Sequence, residues 1–103
     1  MITVVNRRTT SEGVYVGRPS PLGNPFKIGE NSRDAVIDAY AAWLQYKITS
    51  KDDAVCKELE RLRQKAAKDG KLVLACWCVP LRCHASVVAD VLTKAIEDGT
   101  RFS

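Results

Sequence analysis

The run KLVLACWC, residues 71–78, constrains the fold more than any other stretch of the chain. It is apolar on both faces and leads into Pro80, and a strand of that kind lies in the middle of a sheet covered by helices. The longest apolar run, LVLACWCVPL at 72–81, is far shorter than the roughly 20 residues needed to cross a bilayer, which excludes a membrane-spanning segment there. A central strand needs partners, and the N-terminal part of the chain supplies two. ITVV at 2–5 and VYV at 14–16 are β-branched or aromatic and read as strands, with RRTTSEG as the connection between them.

The helices that cover the sheet follow from spacing. Val36, Ile37, Tyr40, Trp43, Leu44 and Ile48 recur every three or four residues after a cap at Asn31 or Ser32. Ser50 with Asp53 forms the pattern of a capping box, after which Val55, Leu59, Leu62 and Ala66 make a stripe that ends at Gly70. A last helix is predicted from about Ser86 to Asp98, with Val87, Val88, Val91, Leu92, Ala95 and Ile96 inward and Gly99 as its stop. The order ββααβα implies an α/β fold, a small sheet with helices packed on it. With 103 residues the chain builds one core, so residues 1–103 are read as a single domain.

The N-terminal MITVVNRRTT lacks the long apolar stretch and small-residue cleavage site of a secretory signal. A cytoplasmic location is therefore expected, with Cys56, Cys76, Cys78 and Cys83 as reduced thiols. Net charge is +4 and the isoelectric point is near 9.0, which favours an anionic partner. Lys57, Arg61, Arg63, Lys65 and Lys68 alternate with Glu58, Glu60 and Asp69 on the second helix and read as a solvated face. Arg7, Arg8, Arg18, Lys27 and Arg82 instead lie in or beside two turn-rich segments.

Those two segments concentrate the chemistry. GRPSPLGNPFKIGENS, residues 17–32, holds three prolines and three glycines and has no regular structure, and long loops in small domains are commonly functional. In CWCVPLRCHA, residues 76–85, Cys76 and Cys78 share one strand face while Trp77 points to the other. Cys83 and His84 then fall at a helix start, where unpaired N–H groups and the helix dipole favour anions. In an open α/β sheet ligands sit at the C-terminal strand edge, here the end of strand 72–78. If VYV runs parallel beside that strand, the long loop crosses the same edge.

Several chemistries fit the cysteine segment. An anion pocket would use Arg82, His84 and the helix start. Three cysteines and a histidine are also a legitimate zinc set, but CxC followed by adjacent Cys and His departs from paired CxxC knuckles, and no metal is expected. Cys76 and Arg82 have the CxxxxxR spacing of a phosphatase loop, yet the loop lacks glycine and Pro80 removes a backbone donor. Plain burial of the thiols, with His84 at the helix cap, is the remaining alternative.

VGRPSPLGNPF, a helix containing AAWL and LACWCVPLRCHASVVADVL together resemble a phage and bacterial family of unknown function, DUF4326. Its pattern pairs a GRxSxxGNPF loop with a CWCxPxxCHxxVL segment. The resemblance implies that Gly17, Arg18, Ser20, Gly23, Asn24, Pro25, Phe26, Cys76, Trp77, Cys78, Pro80, Cys83 and His84 are the characteristic positions. The chain departs from the pattern at Ala85, where glycine is common, and Arg82 is not a hallmark. The helix start is also similar to that of a second uncharacterised family with a CxE...CHR pattern.

The resemblance carries no established activity but implies that the polar residues of the two loops act together. Asn24 offers an amide, Gly23 close backbone approach and Phe26 a stacking surface, a set suited to a nucleobase or ribose. The expected function is binding of a nucleotide or other phosphorylated small molecule, with Arg18, Ser20, Gly23, Asn24, Phe26, Cys76, Trp77, Cys78, Arg82, Cys83 and His84 lining the site and no cofactor. In a phage setting this would sequester or degrade a host signalling nucleotide. An enzyme acting on a phosphoester or N-glycosidic bond is the alternative, through His84 or a thiolate, with Glu12 and Glu30 the nearest carboxylates. A structural zinc-binding or protein-interaction domain is a further one. Aromatics interleaved with basic residues along a strand are lacking, which counts against polynucleotide binding, and self-association is left open.

Overall fold

The computed structural model describes residues 2–6, 13–18, 20–26, 32–76 and 83–102. Among these the chain runs β1 (Ile2–Asn6), β2 (Val14–Tyr15), α1 (Arg33–Thr49), α2 (Asp53–Asp69), β3 (Leu72–Cys76) and α3 (His84–Asp98). This is the α/β order ββααβα that the sequence predicts. The three strands form one sheet in the order β1-β3-β2, and both outer strands run parallel to β3. Ile2 pairs with Leu72 and Asn6 with Cys76 on one side, and Val14 with Leu74 on the other.

Register explains the core. Ile2, Val4, Val14, Leu72, Leu74 and Cys76 lie at alternating positions and so face one side of the sheet. That side meets Tyr40 and Leu44 of α1, Val55, Leu59 and Leu62 of α2, and Val88 and Leu92 of α3 in one apolar cluster. The reverse side is covered less: Thr3 is exposed, and Val5, Val73 and Tyr15 are half-buried. Gly13 lies against it with φ +97°, and a Cβ there would come within 2.9 Å of Val73. Left-handed backbone and lack of room both require glycine at this position.

Ser32 is the α1 cap, its Oγ accepting from the Ala35 N–H at 3.1 Å. The start of α2 differs from the predicted capping box. Ser50 closes α1, and Asp52 caps α2 by accepting the Val55 N–H at 3.1 Å. An ionised carboxylate at a helix N-terminus satisfies an orphan donor and meets the positive end of the dipole, so it outcompetes a hydroxyl two residues earlier. Gly70 and Gly99 terminate α2 and α3 in left-handed geometry, as predicted.

Two further expectations are corrected. In α3, which begins two residues earlier than predicted, the inward set includes His84, Ala85 and Ala89, while Ile96, near the C-terminal end and at the margin of the apolar stripe, is 41% exposed. The charged face of α2 is not wholly solvated either. Glu60 is 6% exposed, and its carboxylate accepts from the Arg63 guanidinium, from Gln64 Nε2 at 2.9 Å and from the Phe102 N–H at 3.0 Å. The Arg63 hydrogen bonds chiefly hold its carboxyl down at about 2, against the opposing effect of burial, with help from Phe102 and Gln64. A residue from the surface charge pattern thus anchors the C-terminal segment onto α2.

Candidate functional site

The parallel arrangement brings the ends of all three strands to one edge of the sheet. Asn6 and Cys76 are register partners there, and Val16 extends the ladder by donating its N–H to Ala75 O at 3.1 Å. Chain segments leaving β2 and β3 therefore start side by side, which is the geometry that the shared-edge argument requires.

The loop after β2 is built from two consecutive tight turns. Ser20 N–H donates to Gly17 O and Gly23 N–H to Ser20 O, both at 2.8 Å. Ser20 Oγ accepts from Leu22 N–H at 3.2 Å. The turns fold the loop onto itself so closely that a Cβ on Gly23 would lie 2.8 Å from Arg18 N and 2.9 Å from Arg18 Cα. A Cβ on Gly17 would run into the Tyr15 ring. Next, Asn24 Oδ1 accepts from the Phe26 N–H at 2.8 Å, an Asx turn that spends one end of the Asn24 amide on local structure. Arg18 and Phe26 are exposed, Ser20 and Asn24 are half-buried, and Gly23 is buried.

Two side chains from the helices brace this loop. Leu22 is fully buried, and its carbonyl accepts a 2.6 Å hydrogen bond from the Tyr40 hydroxyl of α1. Burial pushes the Tyr40 phenol up from its ordinary value, and the Cys83 sulfur adds to the effect, so the hydroxyl stays protonated and remains a donor. From α3, His84 Nε2 lies 2.9 Å from the Val16 carbonyl. A carbonyl only accepts, so Nε2 is the nitrogen that carries the proton. The Tyr40 and His84 rings meet edge to face at 5.2 Å. Tyr40 and His84 thus form one support under Val16 and Leu22.

The other ring nitrogen of His84, Nδ1, faces Cys83 Sγ at 3.5 Å. Cys83 is the N-cap of α3, yet its side chain makes no capping hydrogen bond. Its sulfur instead lies 2.8 Å from Cys76 Sγ at the end of β3. Both cysteines are buried thiols. Adjacent cysteine and histidine side chains at this helix start therefore converge.

Of the predicted site residues, Cys76, Cys83 and His84 form one buried cluster, and His84 links it to the loop that carries Arg18, Ser20, Gly23, Asn24 and Phe26. Trp77, Cys78 and Arg82 lie outside the described residues, as do Pro80 and the carboxylates Glu12 and Glu30. No group of three or more histidine, cysteine or carboxylate side chains among the described residues is arranged to hold a metal ion, and no helix among them is long and apolar enough to cross a membrane. Sequence reasoning places Tyr40 in the core by its spacing but misses its role at the loop. It also misses Asn6, which register alone brings beside Cys76.

The family model for a domain of unknown function, DUF4326, matches residues 4–94. The chain belongs to the DUF4326 family. The matched stretch starts inside β1 and ends within α3, so it takes in the double-turn loop, the Tyr40 brace and the cysteine corner of this DUF4326 domain. No curated protein and no solved structure matches the chain.

Proposed function

We propose that this DUF4326 domain binds a nucleotide or other phosphorylated small molecule at the edge formed by the double-turn loop and the start of α3. The observation that carries the proposal is the 2.9 Å contact between His84 Nε2 and the Val16 carbonyl, which ties the start of α3 to the residue just before the GRxSxxGNPF loop. The exposed Arg18 guanidinium supplies charge and directional donors for a phosphate. The free end of the Asn24 amide and the exposed Phe26 ring suit the polar edge and flat face of a base. The net charge of +4 favours capture of such an anion. Cys76, Cys83 and His84 are structural in this reading: their buried positions suit a support better than a direct contact. In a phage or bacterial cytoplasm the domain would sequester a signalling nucleotide, and turnover would need an acid or base in addition to the braced histidine.

The test is calorimetric titration with mono-, di- and cyclic nucleotides and with inorganic phosphate. Arg18→Ala and Asn24→Ala should each weaken binding by roughly tenfold to a hundredfold, the worth of one hydrogen bond to a charged group. His84→Ala should weaken binding and also lower the melting temperature, since it removes a buried hydrogen bond. If no nucleotide or phosphate binds, or if Arg18→Ala and Asn24→Ala bind like the parent, the proposed site is wrong.

A further inference from the structure

The corner between β3 and α3 holds two sulfurs closer together than ligand binding requires. Cys76 Sγ and Cys83 Sγ lie 2.8 Å apart, about 0.8 Å longer than a disulfide bond. Two thiolates on one zinc ion, each about 2.3 Å from the metal, would stand about 3.8 Å apart at a tetrahedral angle. The spacing therefore suits a sulfur–sulfur bond better than a shared metal. Cys83, although fully buried, also has a helix N-terminus and an imidazole nitrogen beside its sulfur. It caps a 15-residue helix, whose N-terminus favours negative charge, and its sulfur faces His84 Nδ1 at 3.5 Å. The Val16 carbonyl fixes the ring proton on Nε2 and so directs the accepting nitrogen towards the sulfur.

Cys56 provides an internal contrast. It too lies near a helix start and is buried, which raises its thiol, but there the Asp52 and Asp53 carboxylates oppose ionisation further, and this sets it apart from Cys83. Its sulfur makes a long contact, 3.9 Å, with the Lys47 carbonyl. Helix position alone thus does not produce the arrangement found at Cys83.

We propose that Cys76 and Cys83 are a redox-modification site, a dithiol that a small hydroperoxide converts into a disulfide across the strand-to-helix corner. His84 Nδ1 takes the Cys83 thiol proton. The thiolate attacks one peroxide oxygen, forming an S–O bond and breaking the O–O bond, and the departing hydroxide takes the proton from His84 as water. Cys76 sulfur then attacks Cys83 sulfur; the S–S bond forms, the S–O bond breaks, and the hydroxyl leaves with the Cys76 proton as a second water. Two thiols and one peroxide become one disulfide and two waters, with two electrons passing from sulfur to oxygen. Burial of both cysteines selects hydrogen peroxide over bulkier oxidants. The proposal is independent of nucleotide binding, since its readout is covalent.

The full chain is treated with hydrogen peroxide beside a Cys56→Ser/Cys78→Ser double variant, and intact mass and joined peptides are measured under non-reducing conditions. Both proteins should lose two hydrogen masses and yield a Cys76–Cys83 peptide pair, reversed by a thiol reductant. Cys83→Ser should give no such pair. His84→Asn, with its fold checked by circular dichroism, should bridge roughly tenfold or more slowly than the parent. Failure of the double variant to bridge, a pair that requires Cys78, or stoichiometric zinc that blocks oxidation until it is chelated would overturn the proposal. An unchanged rate in folded His84→Asn would overturn the proton path.

Discussion

Replacing Tyr40 by phenylalanine removes a single oxygen atom and should destabilise the protein by about 2 kcal/mol. The hydroxyl donates at 2.6 Å to the carbonyl of fully buried Leu22, and the aromatic ring, itself fully buried, would remain in place. The cost therefore comes from leaving a buried carbonyl without this donor, a penalty of about 1–3 kcal/mol, with little loss of packing. For a domain near this size each kcal/mol lowers the melting temperature by about 4–8 °C, so Tyr40→Phe should melt about 8–16 °C below the parent. Thermal denaturation followed by circular dichroism gives the shift, and urea titration should show an unchanged slope if the unfolded state is unaffected. Amide exchange should quicken at Leu22 and Gly23, whose N–H groups are held by the turns that Tyr40 braces. A shift below about 2 °C, with exchange at those two amides unaltered, would refute the idea that this bond holds the loop.

Two other perturbations separate close contact from mere proximity. Gly23→Ala should cost about 1–3 kcal/mol, because its Cβ meets the Arg18 backbone, whereas Gly17→Ala should cost less, because the Tyr15 ring can swing away; paired thermal melts decide it, and equal losses would contradict the distinction. Glu60 predicts a pH effect. Its folded carboxyl is held near 2, below its ordinary 4.5, so its contribution is present above about pH 4.5 and is lost as pH falls through about 2. Glu60→Gln should be less stable at neutral pH and lose less on acidification in that window, as measured by melts across pH.

Local patterns made the frame legible. A β-branched run, a run apolar on both faces and three- to four-residue spacing locate β1, β3 and the three helices because those signals depend on neighbouring residues alone. The same locality explains the errors. Ser50 and Asp52 are rival caps two positions apart, and the outcome depends on where α1 runs out. Glu60 looks like one more charge on a solvated face until Phe102, far along the chain, folds back to donate to it. The contact of His84 with the Val16 carbonyl is likewise beyond local patterns, because its partner is a backbone atom in a distant segment. The positions of the two motifs were readable; the division between residues that brace and residues that face outward was not, since it arises from tertiary hydrogen bonds.

The strand order has a consequence for how the molecule comes into being. β1 and β2 never pair with each other; each waits for β3, which lies between them and is made last. Ile2 has no ladder partner until Leu72 has been synthesised, so a chain emerging from a ribosome carries two orphan strands through the synthesis of α1 and α2. Such long-range parallel pairing closes large loops before any contact repays them, and folding is slow by comparison with helical domains of this size. The helical hairpin would meanwhile present Tyr40, Leu44, Leu59 and Leu62 to solvent. Ordering of the sheet and closure of the candidate site are thus expected as a single late event, when residues 72–76 insert between the two outer strands.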